Sequence, residues 1–289
     1  MPELNGIGST ELGGSEGTKD DLQGSKKVNI VFVHDLKGHP LETWTSGHQA
    51  DNKRAVSALG RRQYIRSIFR SLPPLPKSDS IQNGTSTRQQ QLFWPHDYLT
   101  KDIPQARVWT FGYNADVIGG LFQASDKNSV SQHGRNLEVR LERDIDNKDP
   151  IIFVAHSLGG IIVKDAIRRS GAARRRTRFI VFLETPHGGS ELASWGAIAS
   201  NLARLALQDS YRKIVETFEV DSEVLDNIYK QFVEVVVKQG IRIYSFQEGR
   251  GISGMRGLHR KVVSDFSSKL GLPIIETTES IDANYMQMA

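Results

Sequence analysis

The stretch "IIFVAHSLGGIIV", residues 151–163, decides the fold of this chain. Two apolar runs flank Ser157, and a pair of glycines follows it. The letters "AHSLG", from Ala155 to Gly159, fit the pattern G-x-S-x-G with alanine in place of the first glycine. In this pattern a sharp turn from strand to helix strains the serine backbone, so the residues two positions away must be small. The stretch predicts a nucleophile elbow with Ser157 as nucleophile; the alternative is a serine that only caps a helix.

Buried strands and helices alternate along the rest of the chain. The apolar, β-branched runs predict strands at residues 28–35, 106–113, 150–155, 178–185, 241–246 and 260–266. Helical spacing predicts helices at residues 131–145, 158–170 and 221–240, with Ser131 as a cap and Gly240 as a terminator. Such alternation is typical of an α/β fold with a doubly wound, mostly parallel sheet. In these sheets ligands bind at the carboxyl ends of the strands, where the elbow also lies.

Composition and charge exclude several classes of function. The chain of 289 residues has no cysteine, which excludes disulfides, thiol catalysis and cysteine-bound zinc, and we expect no cofactor and no metal. A net charge of +4 is too weak to indicate a nucleic-acid partner. No apolar stretch approaches the length of a membrane span, and no secretory signal opens the chain. We expect a soluble, cytoplasmic protein, with peripheral membrane contact left open.

The domain organisation follows from local composition. Residues 1–27 are rich in glycine, serine and charged residues and predict a disordered leader. Residues 28–289 are expected to form one domain, in which residues of about 50–92 are expected to be a variable insertion. The segment of about residues 188–239 is predicted to be helical and to form a cap over the site.

An acyl-transfer serine also needs donors for the oxyanion. One donor in this fold is the backbone N–H after the nucleophile, here Leu158. The second comes from the loop after an early strand, and "FVHDLKGHP" (32–40) points to the N–H of Leu36. His34 in this loop either stiffens it by hydrogen bonding or is a packed histidine at a strand end.

Several blocks of the sequence resemble a known family. The chain is similar to the SERAC-like serine esterases and, among them, to the lipase-like domains at the N-terminus of fungal NLR-type immune proteins (the SesB-like type). The blocks lie in collinear order over about residues 28–289: "IVFVHDLKGHPLETWT", "FWPHDYLTKDIPQARVWTFGYNADV", "IIFVAHSLGGIIVKDAI", "RFIVFLETPHGGS" and "DSEVLDNIYKQF". The resemblance implies an α/β-hydrolase fold with a helical cap, a Ser–acid–His triad and esterase or lipase chemistry.

The resemblance also implies roles for single residues. Ser157 matches the family nucleophile, and "YSFQEGRG" matches the segment of the family acid, which points to Glu248. The alternative for Glu248 is an exposed loop carboxylate. His187 in "TPHGGS" matches a family histidine and is expected to be site-adjacent or structural. His156 is the neighbour of the nucleophile and is expected to point away from it.

Two positions depart from the family pattern. The family has glycine where this chain has Asp35, and a carboxylate there would oppose an oxyanion unless it is paired or points away. The family base is a histidine after "DAN", and Tyr285 stands there instead. Tyrosine is a poor base at neutral pH because its ordinary pKa is about 10. His259 is a weak substitute, since it precedes a predicted strand and would lie at the wrong end of the sheet.

Two functions remain after these departures. The first is hydrolysis of carboxylic esters, including acyl lipids, by Ser157 with Glu248 as the acid. The second is a catalytically impaired hydrolase fold, a pseudoenzyme that serves signalling or binds a protein partner or a second copy. The replacement of the family base by Tyr285 counts against the first function and favours the second.

Overall fold

The computed structural model describes residues 4–12, 28–35, 39–46, 92–114, 129–145, 148–188, 195–206, 222–252 and 261–289. Within these ranges nine strands are formed. They are β1 (Gly8–Leu12), β2 (Val28–Val33), β3 (Thr45–Ser46), β4 (Leu92–Phe93), β5 (Ala106–Gly112), β6 (Ile151–His156), β7 (Thr177–Leu183), β8 (Arg242–Glu248) and β9 (Glu276–Ile281). The predictions on Leu36, on His259 and on residues 50–91 lie outside the described residues.

Five helices of at least six residues accompany the strands in the described ranges. They are α1 (Val130–Asp144), α2 (Leu158–Arg169), α3 (Gly171–Arg176), α4 (Trp195–Ala206) and α5 (Ser222–Gln239). Short helical turns cover residues 95–102 and Tyr285–Gln287. The predicted helix over 221–240 is confirmed to within a residue at each end, and Gly240, at φ +64°, ends it as expected.

Seven strands form one sheet in the order β1-β5-β2-β6-β7-β8-β9. All neighbours from β5 to β9 pair in parallel, and only β1 runs antiparallel, against β5. This confirms the predicted mostly parallel α/β sheet. The order places β6 between β2 and β7, so Ser157 follows a central strand. The carboxyl ends of β2, β7 and β8 therefore surround the elbow.

Two apolar clusters cover the two faces of the sheet. On β6, Phe153 and Ala155 face a cluster that contains buried residues of α1, α2, α4 and α5. Ile152 and Val154 face the other cluster, which includes Trp44, Phe93 and Met288. The side chains of successive strand residues alternate between faces, so both faces of a central strand must be apolar. This explains why the sequence around β6 reads as a continuous apolar run.

The predicted disordered leader is wrong for residues 8–12, which form β1. Strand β1 pairs along its whole length with β5, and Leu12 is buried at the end of it. The local composition gives no sign of a strand. The exposed edge of β5 supplies the backbone hydrogen bonds, and an unpaired edge is costly to leave open.

The predicted last strand at residues 260–266 is also wrong. Its described part forms bends and turns, although Val262 and Val263 are buried. The last strand is β9, with the polar sequence "ETTESI" and mostly exposed side chains. An edge strand with one solvated side needs few apolar residues, whereas two buried valines can be satisfied by packing alone.

Two further predictions need correction. Ser129, not Ser131, caps α1: its backbone is extended and its side chain accepts the N–H of Gln132. The predicted cap over residues 188–239 is wrong for α5. The buried stripe of α5, which includes Ile228 and Phe232, belongs to the same apolar cluster as α2 and the sheet. An amphipathic helix buries its apolar face, and here the available partner is the sheet layer.

Candidate functional site

Ser157 sits in the turn between β6 and α2. Its backbone has φ 49° and ψ −119°, a sparsely populated conformation for a residue other than glycine, and the residue is fully buried. Its N–H donates to the carbonyl of Leu183 at the end of β7, at 2.9 Å. Strain of about 1–3 kcal/mol at such a position persists only where surrounding structure fixes it. This is the geometry that the pattern in the sequence predicts for a nucleophile elbow.

The glycine pair after Ser157 allows two close approaches. A Cβ atom at Gly159 would lie 2.3 Å from the carbonyl oxygen of His34. A Cβ atom at Gly160 would lie 2.3 Å from the side chain of Thr185. The first turn of α2 can therefore press against the ends of β2 and β7 only because both residues lack a side chain.

The hydroxyl group of Tyr285 contacts the nucleophile position directly. It lies 2.5 Å from Oγ of Ser157, and the tyrosine is 2% exposed. Burial raises the pKa of Tyr285 well above its usual value, and the nearby charge of Asp35 raises it further. The phenol therefore stays protonated at neutral pH and cannot hold a proton taken from Ser157. Within the described residues, the hydrogen-bond partner of Ser157 Oγ is this tyrosine rather than a histidine.

Glu248, the predicted acid, ends β8 and is fully buried, so it is not an exposed loop carboxylate. Its Oε1 accepts the N–H of Val262, and its Oε2 accepts the N–H of Tyr285 at 3.0 Å. Burial raises the pKa of Glu248, while these backbone donors favour its charged form. The carboxylate thus holds the backbone of the residue that contacts Ser157, at the place where a triad acid would hold its base.

Asp35 follows β2, at the position where the family has glycine. Its backbone is not in the left-handed conformation that would favour glycine there. Among the non-glycine residues that the structure describes, only Ser157 and Glu184 have a positive φ. The Asp35 carboxyl group accepts the Thr43 hydroxyl at 3.1 Å and lies 3.5 Å from Nδ1 of His156. Burial raises its pKa to about 7. The group therefore has partners, and its raised pKa makes the uncharged form accessible near neutral pH.

His34 is tied into the end of β2. Its Nδ1 donates to the carbonyl of Asp35 at 2.9 Å, and its Nε2 accepts the N–H of Tyr113 at 3.2 Å. The rings of His34 and Tyr113 stack with their centroids 4.1 Å apart. Burial lowers the pKa of His34 to about 3, so the ring is neutral. These contacts fit a histidine that stiffens the loop and leave neither nitrogen for Ser157.

The other two predicted neighbours, His156 and His187, pack against different residues. The His156 ring packs against the Tyr285 ring with centroids 5.0 Å apart, and burial lowers the pKa of His156 to about 3. His187 lies instead against the edge of the Phe182 ring, in the layer of α2, where burial lowers its pKa well below the usual value. His156 therefore lines the site beside Tyr285, whereas His187 is a packed core residue.

The predicted oxyanion donors can be placed only in part. Leu158 begins α2, so its N–H belongs to the first turn, where N–H groups have no partner within the helix and form the positive end of its dipole. Leu36 lies outside the described residues. The described ranges contain no group of three histidine, aspartate or glutamate side chains placed to hold a metal ion. They also contain no helix long and apolar enough to cross a membrane.

Glu184 is a site residue that the sequence reasoning missed. It directly follows β7, is fully buried and has φ 45°. Its Oε2 accepts the N–H of Glu248 at 2.5 Å. A signal was available: Glu184 is a carboxylate at the carboxyl end of a strand that neighbours the nucleophile strand, and that edge of the sheet is where ligand sites form.

Comparisons with known proteins show what this chain is similar to. No family model matches the chain. Protein SERAC1 of Mus musculus is 25% identical over 255 residues, which are 85% of this chain and 34% of that protein. Protein SERAC1 of Homo sapiens is 24% identical over 255 residues, with the same shares. The chain thus spans about a third of the length of the curated relatives it matches.

A solved structure gives a weaker match over the whole length. The mature lipase BlEst2 of Bacillus licheniformis is 14% identical, over 99% of this chain and 94% of that one, with a TM-score of 0.48. The fold assignment rests on the strand order and the elbow of the chain itself. These features give the chain an α/β-hydrolase fold, and its sequence is similar to Protein SERAC1 over 85% of its length.

Proposed function

We propose that this chain hydrolyses carboxylic esters, acyl lipids among them, with Ser157 as the nucleophile. The observation that carries the proposal is the strained, buried elbow conformation of Ser157 at the carboxyl end of a central parallel strand. A serine that only caps a helix has no need of this strain, since an N-cap adopts an ordinary extended backbone. The helix start at Leu158 supplies an N–H group for the oxyanion.

The 2.5 Å contact between the Tyr285 and Ser157 hydroxyl groups supports a proton relay in place of a base, in which the phenol hydrogen turns from Oγ of Ser157 to the leaving oxygen. Oγ of Ser157 attacks the ester carbonyl carbon, and its proton passes to the Tyr285 hydroxyl oxygen. The phenol proton passes at the same time to the leaving alkoxide oxygen as the bond between that oxygen and the carbonyl carbon breaks. Tyr285 stays neutral throughout, as its raised pKa requires. Water then hydrolyses the acyl-enzyme by the reverse relay.

A fluorophosphonate probe and p-nitrophenyl butyrate test the nucleophile. The unmodified protein is expected to become labelled and to release p-nitrophenol, whereas Ser157→Ala does neither. Labelling that survives Ser157→Ala, or no labelling and no turnover in the unmodified protein, would refute the proposal.

Tyr285→Phe tests the relay. A p-nitrophenolate leaving group needs no proton, whereas an alkoxide does, so the variant should slow ethyl butyrate hydrolysis at least tenfold more than p-nitrophenyl butyrate hydrolysis. An equal loss for both esters would rule the relay out.

The contact between Tyr285 and Ser157 also supports a second function: an impaired hydrolase fold that serves signalling or binds a partner and does not turn over esters. The raised pKa of Tyr285 favours it, because the phenol is no general base at neutral pH. Under this function Tyr285→Phe leaves both esters uncleaved, as in the unmodified protein. The two functions therefore differ in the activity of the unmodified protein and in the leaving-group effect.

A further inference from the structure

Glu184 occupies an unusual place in the fold. It follows β7, the strand between the nucleophile strand β6 and the acid strand β8. Its N–H donates to the carbonyl of Phe246 on β8 at 2.8 Å, and the preceding residue, Leu183, accepts the N–H of Ser157. With φ at 45°, it adopts a backbone that favours glycine, and its side chain is fully buried. A strained, buried carboxyl group between the two strands is costly without a role in the site.

The two oxygens of Glu184 have different surroundings. Oε2 accepts the N–H of Glu248 at 2.5 Å. Oε1 is buried and has no hydrogen-bond partner among the described residues. Burial raises the pKa of Glu184 to about 8, and the charge of Glu248 acts in the same direction. At neutral pH the carboxyl group is therefore largely protonated, and Oε1 is the oxygen free to carry the proton.

A chain of contacts leads from Glu184 to the nucleophile. Glu184 holds the backbone N–H of Glu248, the Glu248 carboxylate holds the N–H of Tyr285, and the Tyr285 hydroxyl contacts Ser157. We propose that Glu184 is a positioning residue that fixes Glu248 and, through it, sets the place of Tyr285 against Ser157. The proposal deepens the proposed function and rests on it where the reactivity of Ser157 is the readout.

The charges around Glu184 indicate how its ionisation would act. Glu248 on β8 and Asp265 are negative neighbours, Lys261 is a positive one, and the Tyr285 hydroxyl feels the charge of Glu184. Lys261 is already paired with Asp265 at 2.5 Å. Ionised Glu184 thus adds a second carboxylate beside Glu248, and this charge opposes the negative charge that develops during attack by Ser157.

Fluorophosphonate labelling from pH 6 to 9.5 tests the role with two variants. Glu184→Gln keeps the shape and an acceptor oxygen but cannot ionise, so it imitates the protonated state. The labelling rate of the unmodified protein is expected to equal that of Glu184→Gln within about twofold at pH 6.5 and to fall at least threefold below it at pH 9.5. Glu184→Gly removes the carboxyl group and relieves the backbone strain, and it should label at least fivefold more slowly at every pH. A rate ratio to Glu184→Gln that does not change with pH would refute the effect of Glu184 ionisation, and normal labelling of Glu184→Gly would overturn the positioning role.

Hydrogen exchange gives a readout that needs no reactive serine. The Tyr285 N–H is bound by Glu248, so its exchange in a peptide covering residues 282–289 reports directly on the positioning. Glu184→Gly is expected to speed this exchange about tenfold, while Glu184→Gln leaves it within about twofold. If the protein is not labelled at all but the exchange changes as stated, the proposed function fails and the positioning role stands. Unchanged exchange in Glu184→Gly overturns the positioning role itself.

Discussion

The side-chain oxygens of Ser157 and Tyr285, 128 residues apart in the chain, lie 2.5 Å from each other. Both residues are buried, and both are held by neighbouring strands: Ser157 by the carbonyl of Leu183 and Tyr285 by the carboxylate of Glu248. The position that would take the proton of a nucleophilic serine therefore holds a phenol. Its pKa, raised by burial, makes it a proton relay at most.

Replacing Tyr285 by histidine should create a faster enzyme. The imidazole would enter a place already next to Ser157 and Glu248, and a general base typically contributes about 10²–10⁴-fold. We expect Tyr285→His to raise kcat/KM for p-nitrophenyl butyrate at least tenfold at pH 7.5. The double variant Tyr285→His with Ser157→Ala is the matched control and should be inactive. No gain in the folded single variant would argue against Glu248 as an acid that serves this position.

The close approach at Gly159 should make this position intolerant of any side chain. A methyl group there would meet the carbonyl oxygens of His34 and Val33, at 2.3 and 2.5 Å, and backbone atoms cannot easily give way. Gly159→Ala should lower the free energy of unfolding by about 1–3 kcal/mol and abolish labelling of Ser157.

Gly171→Ala is the matched control for Gly159→Ala. Its added Cβ would meet only the flexible end of Arg175, at 3.3 Å, so the free energy of unfolding should change by less than about 0.5 kcal/mol. Urea unfolding of both variants makes the comparison. Equal effects at the two glycines would contradict the steric account of the elbow.

Asp35 should make stability depend on pH in a defined direction. Its pKa is about 7 in the folded state and 3.8 as the ordinary value, so the folded state binds the proton more tightly. Between these values the unfolded state is the more ionised one, and stability falls as pH rises from about 4 to 7. Relative to Asp35→Asn, which cannot ionise, the unmodified protein should lose about 2 kcal/mol of unfolding free energy between pH 5 and 8. Urea unfolding of both proteins at pH 5 and pH 8 measures this loss. If the difference in unfolding free energy between the two proteins is the same at both pH values, the Asp35 carboxyl group is not buried as described.

Glu248 should matter for stability through the backbone groups it satisfies. Glu248→Ala leaves the N–H groups of Val262 and Tyr285 buried without their acceptor, and each such loss costs about 1–3 kcal/mol. Glu248→Gln keeps one carbonyl oxygen and should lose at most about half as much. Differential scanning calorimetry of the two variants gives the comparison. Equal losses would mean that side-chain volume, rather than hydrogen bonding, decides this position.

The local patterns were sufficient to predict the fold and the sharp strand-to-helix turn at Ser157. The apolar runs that became β2, β5, β6, β7 and β8 are buried on both faces, and such strands can be read from composition alone. Two strands of the seven-stranded sheet, β1 and β9, were not predicted; they lie at its edges, where pairing with a neighbour outweighs the weak preference of the segment itself. The strand predicted at residues 260–266 was wrong for the opposite reason: Val262 and Val263 are apolar because they are buried by packing, although they form no strand.

The sequence by itself determined the elbow at Ser157, because small residues, an apolar strand and a following helix are local requirements that neighbouring letters encode. The tertiary structure decided what surrounds the elbow. It brought the Tyr285 hydroxyl onto Ser157, turned the Glu248 carboxylate to the backbone of Tyr285, and placed Glu184 between two strands. These contacts join segments far apart in the chain, so they depend on strand order and on how the last residues pack, which no local pattern specifies.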